Sequence, residues 1–193
     1  MPELLEQLKG SPRPSSLSWD LPASTQQQLC DQLLSDWGRD KGITCVAASP
    51  HPFSITLGPR DFRITTRVVA GQPLSCFLAT AHEWGHSLYE QGLPTSAHQW
   101  FAWPLGQATS MAVHESQSLF WENRVARSQP FAELWWERFA AAGAPLGSSS
   151  DLWKAMNPVA PGCNRVEADE LSYGLHILCL LYTSDAADDN TCV

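Results

Sequence analysis

The alternation of apolar and polar positions changes period several times along the chain, and each change marks an element. Leu29, Leu33, Leu34 and Trp37 recur at helical spacing. Ser24 and Gln27 form a capping-box pattern before them, and Gly42 is placed to stop the helix. From Ile43 to Val69 the period becomes that of a strand, because Phe53-Ser54-Ile55-Thr56-Leu57 and Phe62 to Val69 alternate in polarity and are rich in β-branched residues. The loop Gly58-Pro59-Arg60-Asp61 between them predicts an antiparallel hairpin. Helical spacing returns in Leu74, Phe77, Leu78, Ala81, Leu88 and Tyr89, with Pro73 in the first turn and Gly92 at the end. A second long helix is predicted from Gln107 to Ser128, stopped by Pro130, and a third from Phe131 to Ala142, closed by Gly143. Ser150 caps a short helix to Asn157, and residues 158–162 form a loop. Asn164 to Ile177 is acidic at its start and apolar toward its end, as in a helix entering a core. Before all of these, residues 3–9 make a short amphipathic helical piece and Gly10 to Ser18 a Ser/Pro linker, so the folded part begins near Trp19. The pattern is that of a mainly α protein with a small antiparallel β-hairpin or sheet beside its long helices.

Composition narrows the partners. A length of 193 residues suits one domain with a sizeable core, or part of something larger, and a net charge of −8 argues against nucleic acid and anionic membranes. No stretch approaches the roughly 20 apolar residues that cross a bilayer, and Met1-Pro2-Glu3-Leu4-Leu5-Glu6 lacks the basic start and apolar run of a secretion signal. The expected location is the cytoplasm. Cys30, Cys45, Cys76, Cys163, Cys179 and Cys192 contain no Cys-x-x-Cys pair, so they read as reduced thiols. Nine tryptophans call for a broad core or a cleft walled with aromatic rings.

The chemistry concentrates in Ala81-His82-Glu83-Trp84-Gly85-His86. On a helix, residues four apart share a face, so His82 and His86 are placed to ligate one divalent ion while Glu83 reaches a water on it as general base. A metzincin would carry Gly and His where Tyr89 and Gly92 stand, which excludes that class. The third-ligand candidates are His98, His114, Glu115 and Glu122. Glu115 is favoured, since a carboxylate on the following antiparallel helix completes a His₂Glu site with an open water position. His98 sits in the Pro94 to Pro104 connection, where ordering a ligand costs more, and Glu122 is expected to orient a histidine from behind. Asp61, Arg63 and Thr65 alternate onto one face of their strand, either a solvated face or the wall of a cleft. Arg165, Tyr173 and His176 are candidates for binding a carboxylate or an oxyanion.

Five short motifs occur here in order: His51-Pro52-Phe53, Asp61-x-Arg63-x-Thr65, His82-Glu83-x-x-His86, His114-Glu115-Ser116-Gln117 and Arg165-x-x-Ala168. In this the chain resembles the carboxypeptidase Taq family of metallocarboxypeptidases, from about Trp19 to Leu178. The one departure is Asn164, where the family has Ile or Tyr. The resemblance implies a helical peptidase with a small β-sheet, often dimeric, that removes C-terminal residues using zinc or cobalt. It implies His82, His86 and Glu115 as ligands and Glu83 as base, and peptides with a free C-terminus as substrates. Arg63 and Arg165 are then candidates for the substrate carboxylate, with His51, Tyr173 and His176 beside it. Family members are much longer, so 19–178 is expected to be the central part of the catalytic domain, with 1–18 as linker and short helical piece. Cys179 to Asp189 reads as translated adapter, which makes 179–193 a non-native tail. Such a fragment on its own is expected to bind metal weakly at best and to show little or no activity, with Trp100, Trp103, Trp135 and Trp136 left facing water. Two other readings stay open: an oligopeptidase or aminopeptidase with the same metal site, and a non-catalytic zinc-stabilised helical module.

Overall fold

The computed structural model describes residues 19–94, 101 and 103–158. The chain divides into two units, Ser18–Met156 and a second made of Met1–Leu17 with Asn157–Val193, and every element described lies in the first. The expected pieces at 3–9, 10–18 and 164–177, with Arg165, Tyr173, His176 and the 179–193 tail, fall outside the described residues, as do His98 and Trp100.

Five α-helices and three strands are described, in the order α1 (Ala23–Asp36), β1 (Thr44–Ala48), β2 (Phe53–Gly58), β3 (Asp61–Thr66), α2 (Pro73–Gly92), α3 (Met111–Leu119), α4 (Gln129–Ala141) and α5 (Ser149–Met156). Helix α1 begins one residue before Ser24, at a Pro22 N-cap without a side-chain bond, so the expected capping box is not used. It also ends earlier than Gly42. Gly38 adopts φ +81°, and the amides of Gly38 and Arg39 return to the carbonyls of Ser35 and Leu34 at 3.1 and 2.8 Å, a Schellman close. Helix α2 has the predicted limits, with Pro73 in its first turn.

The predicted hairpin is present as β2 and β3, antiparallel with Phe53 opposite Thr65 and Gly58 opposite Asp61. It is joined by β1, which runs parallel to β3 with Thr44 opposite Phe62, so the sheet is mixed, in the order β1-β3-β2. Thr44-Cys45-Val46-Ala47-Ala48 is short, half alanine-like in character and mostly exposed, which hides it from a period-two reading. Strand β3 turns Phe62 and Ile64 inward; Ile64 packs with Leu34 of α1 and Trp84 of α2. Its last residue, Thr66, donates to the Cys76 carbonyl (3.3 Å) and accepts from Thr80 (3.0 Å), pinning the sheet to α2 just before His82.

The larger core lies on the other side of α2. Cys76, Phe77, Leu78 and Ala81 meet Leu29, Cys30 and Leu33 of α1, Phe131, Trp135 and Phe139 of α4, and Leu152 and Met156 of α5. Trp135 stacks on Phe131 with ring centroids 5.5 Å apart and is buried, contrary to the expectation that it faces water; Trp103 is exposed. Cys30 and Cys76 face each other inside this core as thiols, their sulfurs 3.5 Å apart.

The expected helix from Gln107 to Ser128 is shorter and not uniform. Ser110 caps α3 by accepting from the Val113 amide at 3.2 Å, and from Phe120 to Ala126 the turns widen into a π-helix. Pro130 does not end this helix but occupies the first turn of α4, capped by Ser128. In α5 the cap is Ser148, not Ser150: its hydroxyl receives the Asp151 amide at 3.3 Å, and Asp151 accepts the Gly147 amide at 3.0 Å. No helix among the described residues is long and apolar enough to cross a membrane.

Candidate metal centre

The site lies where α2 meets α3. His82 and His86 stand one turn apart on the face of α2 toward α3, and Trp84, between them in sequence, points the other way into the core with no exposed surface. The two helices come together at Gly85. A Cβ there would sit 2.6 Å from the Ser118 Cα and 2.8 Å from the Gln117 carbonyl oxygen, both backbone atoms. Glycine costs about 1 kcal/mol in a helix interior relative to alanine, and here its missing side chain sets how closely α3 approaches. We expect Gly85→Ala to force α3 outward, with about 1–3 kcal/mol of stability lost and a weaker metal site. Thermal melting and zinc titration of the variant would check this; unchanged values in both would show that the contact is slack.

That approach delivers Glu115 between the two imidazoles. Its Oε1 lies 3.6 Å from His82 Nε2 and its Oε2 3.3 Å from His86 Nε2. One donor atom from each of the three residues falls within 4.8 Å of the others. Ligand atoms bound at about 2.0–2.1 Å in a tetrahedral shell are about 3.4 Å apart, which the 3.6 and 3.3 Å spacings from Glu115 to the two imidazoles match. The donor set fits too: two imidazole nitrogens and one carboxylate leave a fourth position for water. Glu115 keeps 35% of its side chain exposed against 11% for His86, so the site opens to solvent on the α3 side.

Behind each histidine stands a hydrogen-bond partner. His82 Nδ1 is 3.0 Å from Glu122 Oε2, and Arg127 Nη2 is 3.0 Å from the other oxygen of the same carboxylate. Glu122 thus occupies the supporting position expected from sequence, and the π turns bring Arg127, five residues on, to hold it. His86 Nδ1 faces His114 Nδ1 at 2.5 Å, and His114 Nε2 lies 2.8 Å from Glu90 Oε1. His114, one of the third-ligand candidates, is therefore on the far side of the His86 ring from Glu115.

The charges are tuned accordingly. Burial pushes Glu83 above the usual carboxylate range, and the nearby positive character of His82 and His86 offsets this only in part. Glu115 is held below its ordinary value, chiefly by the hydrogen bond to His86. For His82, burial alone acts downward, but the Glu122 hydrogen bond and the surrounding carboxylates outweigh it and raise the imidazole. For Glu122, burial acts upward and is outweighed by His82 and Arg127, leaving the carboxyl lowered. Such polarised imidazoles are good ligands once their protons are displaced.

The remaining sequence candidates are placed differently. Arg63 forms a two-pronged bridge to Asp61 (Nε–Oδ1 2.8 Å, Nη2–Oδ2 2.9 Å) and lines a cleft at the β1 edge with Arg39, Lys41 and Arg60. The His51 side chain is exposed, while its carbonyl accepts from the Thr65 hydroxyl at 3.0 Å; the Thr65 hydroxyl oxygen in turn accepts from the Phe53 amide at 3.0 Å. The first two motifs thus form one clamp across β2 and β3. Glu90, Arg127 and Gly85 were not singled out from sequence, although 82, 86 and 90 lie one turn apart on one face and a glycine inside a helical pattern signals a close approach.

A family model described as carboxypeptidase Taq (M32) metallopeptidase matches residues 1–181. Thermostable carboxypeptidase 1 of Thermus thermophilus is 43% identical over 180 residues, 91% of this chain and 35% of that protein. Carboxypeptidase 1 of Bacillus subtilis is 34% identical over 171 residues, 86% of this chain and 33% of that protein. The crystal structure of the M32 carboxypeptidase from Deinococcus radiodurans R1 superposes with a TM-score of 0.79 at 35% identity, over 88% of this chain and 34% of that one. The chain thus spans about a third of the length of the curated relatives it matches.

Proposed function

The chain belongs to the carboxypeptidase Taq (M32) family of metallopeptidases, and from that premise we propose that it carries the catalytic centre of a metallocarboxypeptidase acting on peptides with a free C-terminus. The observation that carries this reading is the convergence of His82, His86 and Glu115 within 4.8 Å beside a buried Glu83. A zinc or cobalt ion held by these three would act as a Lewis acid on the scissile carbonyl and make a bound water acidic near neutrality.

The chain's own residues do the rest. Glu83 takes the proton of the attacking water and hands it to the leaving amine. Burial favours this role, since a carboxylate stripped of water is a stronger base than an exposed one. Glu122, with Arg127 behind it, fixes the His82 ring so that Nε2 faces inward. Arg165, Tyr173 and His176 remain proposals for the substrate carboxylate and oxyanion. Arg63 would have to leave Asp61 to serve, which makes Arg165 the better choice of the two arginines.

The test is end-group selectivity of the zinc- or cobalt-loaded protein. An N-terminally blocked peptide should lose its last residue, and amidation of the C-terminus should abolish cleavage. Cleavage that instead requires a free N-terminus would favour the aminopeptidase reading. Because low activity is expected of this stretch alone, only stoichiometric metal without any turnover in the full-length enzyme would favour a structural module.

A further inference from the structure

Helix α3 places two consecutive residues on opposite sides of one ring. Glu115 meets His86 at Nε2 (3.3 Å), and His114 meets the same imidazole at Nδ1 (2.5 Å). His114 is in turn held at Nε2 by Glu90 (2.8 Å), which lies one turn beyond His86 on α2, and it packs edge-on against Tyr89 at 5.2 Å between ring centroids. Of the two imidazoles only one can donate across a contact between two Nδ1 atoms. If His86 Nε2 offers its lone pair to a metal, its proton is on Nδ1 and points at His114. His114 must then accept at Nδ1, carry its own proton on Nε2 and donate it to Glu90, so all three groups have complementary protonation in one arrangement alone.

We propose that His114 and Glu90 are positioning residues which set the tautomer and ring orientation of His86 as a metal ligand, through an imidazole interposed between ligand and carboxylate. His82 has the carboxylate of Glu122 directly behind it; His86 does not. The interposed ring answers a geometric need, since Glu90 shares α2 with His86 and reaches it through a group on the neighbouring helix. It also couples the site to the α2–α3 packing: any shift of α3 moves Glu115 and His114 together, disturbing both nitrogens of His86. This inference rests on the metal-site reading above.

The test is competitive zinc titration of the full chain and of three variants, with visible absorption of the cobalt-loaded forms and melting of the metal-free forms. His114→Leu is expected to lower zinc affinity about 10–100-fold and to alter the cobalt spectrum. His114→Gln, whose amide can accept toward His86 and donate toward Glu90, should recover most of that loss. Glu90→Gln should fall between. A His114→Leu protein with the affinity of the unmodified chain, or a His114→Gln protein as impaired as His114→Leu, would overturn the proposal. So would a lowered metal-free melting temperature with unchanged affinity, which is the mark of a packing role. Failure of the unmodified chain to bind zinc at all would instead refute the metal site on which the inference rests.

Discussion

Replacing Glu83 by glutamine should leave metal affinity within about tenfold of the unmodified protein while lowering kcat/KM by roughly 10²–10⁴, the usual contribution of a positioned general base. The side chain is 6% exposed, so an isosteric amide is needed to avoid a cavity. Glutamine fills that space and still forms hydrogen bonds, but it has no basic lone pair to take a proton from water. His82, His86 and Glu115, the three side chains whose donor atoms converge, are untouched by the change. In this reading the acid limb of the pH–rate profile reports Glu83, which burial pushes upward from the ordinary carboxylate range. That limb should vanish in the residual activity of the variant. The measurement is zinc titration together with release of a C-terminal amino acid at several pH values. Near-normal turnover with metal bound would remove Glu83 from the mechanism.

What could be read from the sequence follows the range over which each interaction acts. Helix α2 shows its limits because Pro73, the apolar period and Gly92 are all local signals, and His82 and His86 show their common face because helical spacing alone fixes it. The hairpin follows from alternation across a two-residue loop. Strand β1 does not show, since its pairing with β3 is parallel and comes from residues 18 positions away, such as Thr44 opposite Phe62. The π turns at Phe120–Ala126 are likewise hidden, because a widened turn keeps a helical composition.

The same distinction runs through the site. Glu115 and Glu122 follow from the placement of a second helix against the first, which the order of elements suggests. The partner of His86 does not, because His114 is chemically suited to be a ligand, and only the packing of α3 shows which side of the His86 ring it takes. Arg63 shows the opposite case. Its guanidinium suits a substrate carboxylate, but the strand period that puts 61 and 63 on one face also gives it Asp61 as a partner two residues away. His51 and Thr65 read as separate motif residues, and the antiparallel register makes them one clamp.

Glu115→Ala should weaken zinc binding by about two orders of magnitude or more. Apparent binding energies of about 10–16 kcal/mol shared among four ligands give about 3 kcal/mol each, which is more than a hundredfold in affinity. The geometry adds a second reason. Glu115 Oε1 and Oε2 lie 3.6 and 3.3 Å from the two imidazole nitrogens, so its removal leaves two neutral donors on one helix and no negative charge among them. Without metal the same carboxylate is held below its ordinary value by His86, so its contribution to folding is present above that value and lost as pH falls through the lowered one. The variant should therefore show a flatter acid dependence of metal-free stability as well as weaker zinc binding. Glu122→Ala removes only the group behind His82 and should cost about 10–100-fold. His98→Ala, which removes a residue read from sequence as part of the Pro94 to Pro104 connection, should leave affinity near that of the unmodified chain. Zinc titration of the three variants gives the order directly, and an order with His98→Ala as the weakest binder would show that the third ligand is not Glu115.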